Sequence, residues 1–123
     1  VIPRSEAPAT LRRMLGLTSE RGLGSFLIVI KEFGSVQSPG AISFPMEGTT
    51  FALDFANRGA NTEAMIRDLA EIATAAGGRI YPAKDARMTA AQFRAGYPSW
   101  EKVEHHRDPR ILSDFWRRTA LGR

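Results

Sequence analysis

The sequence predicts an α+β domain, an antiparallel sheet with two helices on one face and a helical extension after it. Three patterns carry that prediction. Residues 26–30 are a continuous apolar run rich in β-branched side chains, residues 49–56 alternate with period two, and residues 62–76 place apolar side chains at helical spacing.

Taken in order, Val1, Ile2 and Pro3 read as the tail of a first strand. Ser5 is placed to cap a helix running to about Leu17, with Pro8 accommodated in its first turn and Leu11, Met14 and Leu15 as its apolar face. Gly22 and Gly24 stop that helix. Ser25 to Lys31 reads as a buried strand. Residues 35–40 form a polar loop, and a further strand is expected at Ile42 to Phe44. In the alternating segment from Thr49 to Ala56, Phe51, Leu53 and Phe55 share one face while Thr50, Ala52 and Asp54 share the other. The helix from Thr62 to Ala76 carries Met65, Leu69, Ile72 and Ala76 on one stripe, with Asn61 as its cap and Gly77-Gly78 as its stop. Arg79 to Ala83 is expected to be a short strand. Three helices follow, over Thr89 to Ala95, Ser99 to His106, and Ser113 to about Leu121, with Ser113 capping the last.

The order over residues 1–85 is therefore β-α-β-β-α-β, a ferredoxin-like split arrangement, and residues 86–123 form the helical extension. With helices on one side only, the other sheet face is open. Thr50, Ala52 and Asp54 are the small and polar side chains expected there, on a surface facing either a ligand or solvent.

Composition narrows the chemistry. Apolar types make up 43% and charged types 24% of the 123 residues, which is ordinary for a compact soluble domain. The absence of cysteine excludes disulfide scaffolds, zinc ribbons and thiol nucleophiles. The longest apolar run is too short to span a membrane. A cytoplasmic location is expected, from the missing cysteines and from the absence of a secretory signal. The net charge is +4, with 17 lysines and arginines, but the cations are scattered and interleaved with acids. Nucleic acid is accordingly not an expected partner. His105 and His106 are adjacent and diverge on a helix, so no metal site is expected. Gly22, Gly24, Gly77 and Gly78 read as turn glycines rather than a phosphate loop, and Trp100 and Trp116 read as core anchors. Lys31 and Lys84, at the ends of expected strands, could hold an anionic or electron-rich ring as point charges, or could simply be solvated.

Several segments together resemble one family. Residues 25–34 (SFLIVIKEFG), 42–48 (ISFPMEG), 51–55 (FALDF), 76–85 (AGGRIYPAKD), 95–98 (AGYP) and 113–114 (SD) are similar to the C-terminal part of FAD-linked oxidoreductases of the vanillyl-alcohol-oxidase type. Within that family the likeness is to the branch that oxidises a lipid-linked ribose. The resemblance implies that the chain is a portion of the substrate domain that closes over a flavin, and that the FAD-binding domain of the same protein, absent from this chain, is its partner. It also implies FAD as cofactor, a sugar-like or hydroxyl-bearing small-molecule substrate, hydride transfer to the flavin, and an isolated chain that does not turn over.

Residue by residue, it implies that Lys84, in the motif Tyr-x-Ala-Lys-Asp, is catalytic and lies at the flavin, with Tyr81 beside it at the cofactor and substrate. Lys31 and Phe33 match a Lys-x-Phe-Gly stretch lining the substrate pocket, and Thr50 and Ala52 match positions on the strand that meets it. Ala52 stands where mycobacterial members have cysteine. The residues alone also allow a stand-alone ferredoxin-like binding or regulatory module for a partner protein or RNA, the latter because Phe51 and Phe55 superficially match the aromatic strand of RNA-recognition domains.

Overall fold

The computed structural model describes residues 1–84 and 87–123. It is of the α+β class. A two-stranded antiparallel sheet of β1 (Leu27–Phe33) and β2 (Gly48–Asp54) is accompanied by α1 (Ala7–Glu20), α2 (Ala60–Ala75), α3 (Ala90–Gly96), α4 (Trp100–His106) and α5 (Asp114–Thr119). A 3-10 turn covers Pro82–Lys84. The boundary expected between residues 85 and 86 lies outside the described residues.

Two of the five expected strands survive only as single backbone pairs. Ile2 exchanges two 2.9 Å hydrogen bonds with Thr49, and Val1 exchanges two 2.8 Å bonds with Arg79. The lateral order is therefore the Arg79 segment, the first segment, β2, then β1, which is the order a split β-α-β arrangement requires. The strand expected at Arg79 to Ala83 stops after Arg79 because Pro82, with no N–H to donate, begins the 3-10 turn. The strand expected at Ile42 to Phe44 does not form either; Pro45 follows directly, and side chains rather than a ladder hold that segment. Close packing of the short first segment demands glycine at two places. A Cβ on Gly48, whose φ is 150°, would sit 2.1 Å from the Ile2 carbonyl oxygen, and one on Gly78 would sit 2.7 Å from both the Val1 and Ala73 oxygens.

Helix α1 begins at Ala7 with Glu6, not Ser5, at its N-cap, and Pro8 lies in its first turn. Its buried stripe is Ala7, Thr10, Met14 and Thr18, whereas Leu15 is 40% exposed, so the expected face is rotated. The helix closes with Leu23 N–H donating to Thr18 O and Gly22 N–H to Ser19 O, both at 3.0 Å. Helix α2 is capped by Gly59 rather than Asn61. Thr62 locks the entry instead, its hydroxyl accepting from Arg58 N–H at 2.9 Å and donating to Ala56 O at 3.1 Å. Gly77 and Gly78 terminate α2 as expected, through bonds to Thr74 O and Ala73 O.

Two apolar clusters hold the molecule. The first joins Ile2, Met14 and Leu23 to Met65, Leu69 and Ile72 of α2, with Phe51, Leu53 and Phe55 packed against it. The second joins Met88, Phe93, Tyr97, Trp116 and Ala120, with Ile42, Ile80, Trp100 and Phe115 around it, so both tryptophans are core residues. No β1 side chain belongs to either cluster. The expectation of a buried strand there is wrong, because β1 is the sheet edge and the helices cover the β2 side. Ile28 and Ile30, although on the helix-facing side, are 44% and 51% exposed. Among the described residues, no helix is long and apolar enough to cross a membrane.

Candidate functional site

Strand register decides which side chains share the uncovered face. Lys31 pairs with Thr50, Val29 with Ala52, Leu27 with Asp54 and Phe33 with Gly48. Directly opposed residues of an antiparallel pair project to the same side. Phe51 and Leu53 face the helical core, so Thr50, Ala52 and Asp54 are on the open side, together with Lys31 and Phe33. Four of the expected site residues (Lys31, Phe33, Thr50 and Ala52) are thereby brought onto one surface. Val29 and Leu27 join them; the expected strand was apolar throughout, so sequence did not say which of its residues belonged to this face. Glu32 lies on the other side, where the Thr49 hydroxyl donates to its carboxylate at 2.5 Å.

The second group reaches this surface through aromatic rings. Phe44 stands edge-on to Phe33 at 6.1 Å between centroids and edge-on to Tyr81 at 5.0 Å. Tyr81, half exposed, leads into the 3-10 turn that ends at Lys84. Lys31 and Lys84 are both exposed, and among the described residues neither ammonium group takes part in a hydrogen bond or ion pair. Asp85, the last residue of the expected motif, lies outside the described residues.

Phe44 is the functional candidate that sequence reasoning missed. It falls in the segment expected to be a strand, and its two ring partners are remote in sequence.

The segment bearing Tyr81 is anchored from behind. Arg79 donates to Ser43 O at 2.8 Å and to Pro45 O at 3.4 Å, and its guanidinium lies 5.7 Å from the Tyr97 ring. Tyr97 donates its hydroxyl to Ile80 O at 2.6 Å, and burial pushes its pKa up to about 12. Further from the face, the Glu104 carboxylate accepts two 2.8 Å bonds from Arg107 and a 2.5 Å bond from the Trp116 indole N–H. These donors, Arg107 first, lower its pKa to about 2. His105 and His106, 5.1 Å apart, line an open groove with Ala41 and Val103; among the described residues no three potential metal ligands come together.

No family model matches this chain. It is similar to the decaprenylphosphoryl-beta-D-ribose oxidase of Mycolicibacterium smegmatis, 35% identical over 98% of this chain and 27% of that protein. It is also similar to an uncharacterized protein in the mprA 5' region of Streptomyces coelicolor, 33% identical over 90% of this chain and 31% of that protein. The chain thus spans about a third or less of the length of these curated relatives. A relationship to an oxidase follows for the stretch they share.

Proposed function

We propose that this chain is the substrate-domain portion of an FAD-dependent oxidoreductase that oxidises a hydroxyl-bearing, sugar-like substrate. The observation that carries the proposal is the register: Lys31 opposite Thr50 and beside Ala52, on the sheet face turned away from the helical core that holds Phe51 and Leu53. Near full-length similarity to part of an oxidase supports it.

The residues fit one side of a flavin and substrate rather than a whole dinucleotide. Two exposed ammonium groups, without a partner among the described residues, suit anionic oxygens or an electron-rich ring edge. Among the described residues there is no glycine-rich turn from strand into helix to cradle a pyrophosphate, so the FAD-binding domain of a longer protein would hold most of the cofactor. Bound flavin would supply the two-electron acceptor for oxidation of the C–H bond beside the substrate hydroxyl.

Each side chain then has a task that follows from its chemistry. Lys84 holds negative charge near the flavin as a fixed ammonium. Lys31 and the Thr50 hydroxyl orient substrate oxygens, and Ala52 leaves room for the sugar ring. Phe33 and Tyr81, spaced by Phe44, form an aromatic wall that excludes water from one side. Replacing Lys84 by alanine in the flavin-bearing protein tests this directly. Turnover should fall by about 10²–10³ while the thermal midpoint stays within a degree or two of wild type. Wild-type turnover in Lys84→Ala would remove the role assigned to it.

The RNA-binding alternative is not favoured, because Phe51 and Phe55 pack against the helical core instead of standing on the open face.

A further inference from the structure

We infer that Phe44 is a positioning residue, whose ring registers the segment bearing Tyr81 and Lys84 against the end of β1 that bears Lys31 and Phe33. The inference rests on the proposed oxidoreductase site and adds a residue to it. Residues 42–45 and 79–81 behave as one unit. Ile42 and Ile80 both pack against the helical cluster, and Arg79 ties the carbonyls on either side of Phe44, those of Ser43 and Pro45. Among the described residues no backbone hydrogen bond links the two segments, so side chains do what a ladder would otherwise do.

That unit is joined to the helical extension through Tyr97 and Ile80, and to the opposite edge of the sheet through the Val1–Arg79 backbone pair, but among the described residues no backbone hydrogen bond aligns it with β1. Phe44 makes that alignment. Its ring is the described aromatic link between Phe33 on β1 and Tyr81. Edge-on aromatic contacts have a preferred geometry, so the ring fixes spacing as well as proximity. Shortening the side chain should leave Lys84 attached to the helical core but no longer in register with the face that carries Lys31.

The chain contains three lysines, Lys31, Lys84 and Lys102, so their reactivity can be read one by one. The flavin-bearing protein and its flavin-depleted form are acetylated with N-acetoxysuccinimide, and the rate at each lysine is followed by peptide mass spectrometry. Bound flavin should slow Lys84 by about tenfold in wild type, equivalent to about 1.4 kcal/mol of reduced access. In Phe44→Ala that protection should fall to less than about twofold, with the flavin absorbance retained and the rates at Lys31 and Lys102 unchanged. Phe44→Tyr, which keeps the ring, should restore protection, and Phe44→Leu, which keeps most of the volume, should not. Should Phe44→Ala unfold, seen as loss of its helical circular dichroism, the contrast between Phe44→Leu and Phe44→Tyr decides the matter. Full protection of Lys84 in Phe44→Leu or in folded Phe44→Ala would overturn the role of Phe44. No protection of Lys84 in wild type would instead overturn the oxidoreductase site itself, and this inference with it.

Discussion

Ile30 on β1 and Phe93 on α3 are both large apolar side chains in regular elements, yet the first is 51% exposed and the second fully buried. The contrast extends to their surroundings. Around Phe93, the rings of Tyr97, Phe115 and Trp116 stand within 5.2–5.8 Å. Thr89 and Gln92 cap α3 reciprocally, and Arg94 ties α3 to Ala120 O at 2.7 Å. Around Ile30 there is one neighbouring strand and open space, with Phe26 at 75% and Leu27 at 50% exposure continuing the same edge. The helical extension uses its apolar residues for stability. The sheet edge leaves them available, which is the condition of a surface whose role is contact with something else.

Substitutions can break or sharpen that contrast. The largest stability effect is expected at Phe93→Ala, where an unfilled core cavity should cost about 3–5 kcal/mol in urea unfolding. A loss below about 1 kcal/mol would mean the second cluster is far looser than its packing. Thr89→Ala removes the reciprocal cap of α3 and should cost about 1 kcal/mol by the same assay, with Thr89→Ser restoring most of it. Ile30→Ala, at the exposed edge, should cost less than about 1 kcal/mol, which is the direct counterpart of the Phe93 experiment. Ala52→Phe should be nearly silent in stability, within about 0.5 kcal/mol. In the flavin-bearing protein, however, it should raise KM for substrate about tenfold or more by filling the face.

A pH dependence below neutrality is expected from the carboxylates of the helical side. Glu104 is held at a pKa of about 2, below its ordinary 4.5, by Arg107 and the Trp116 indole. The folded state therefore binds fewer protons than the unfolded chain in that interval. Its stabilising contribution is complete above pH 4.5 and disappears as the pH falls towards 2. Urea midpoints at pH 6 and pH 3 should diverge in wild type and diverge less in Glu104→Gln, where Asp108, held low by Arg110, still titrates.

Much of this division was legible in the sequence, but unevenly. The period-two pattern of Phe51, Leu53 and Phe55 marked both faces of β2, and the helical spacing of Met65, Leu69 and Ile72 marked α2, because burial enforces those periods. The strand around Ile28 was correctly a strand but wrongly buried, since an apolar run does not distinguish a central strand from an exposed edge. The two outlying strands were overread, with Pro45 and Pro82 as the residues that spoil them. Lys31, Thr50 and Ala52 could be nominated from strand ends and alternation. That they share a face required the register, and Phe44 required the tertiary structure.

The most direct test of the account is the visible absorption spectrum of the native polypeptide that contains these residues, captured from its source with an antibody raised against this chain. The account predicts a chain several times longer than 123 residues that carries flavin absorbance and bleaches on addition of its hydroxyl-bearing substrate. A colourless protein of this length would contradict it, and the open face would then have to be explained without a flavin.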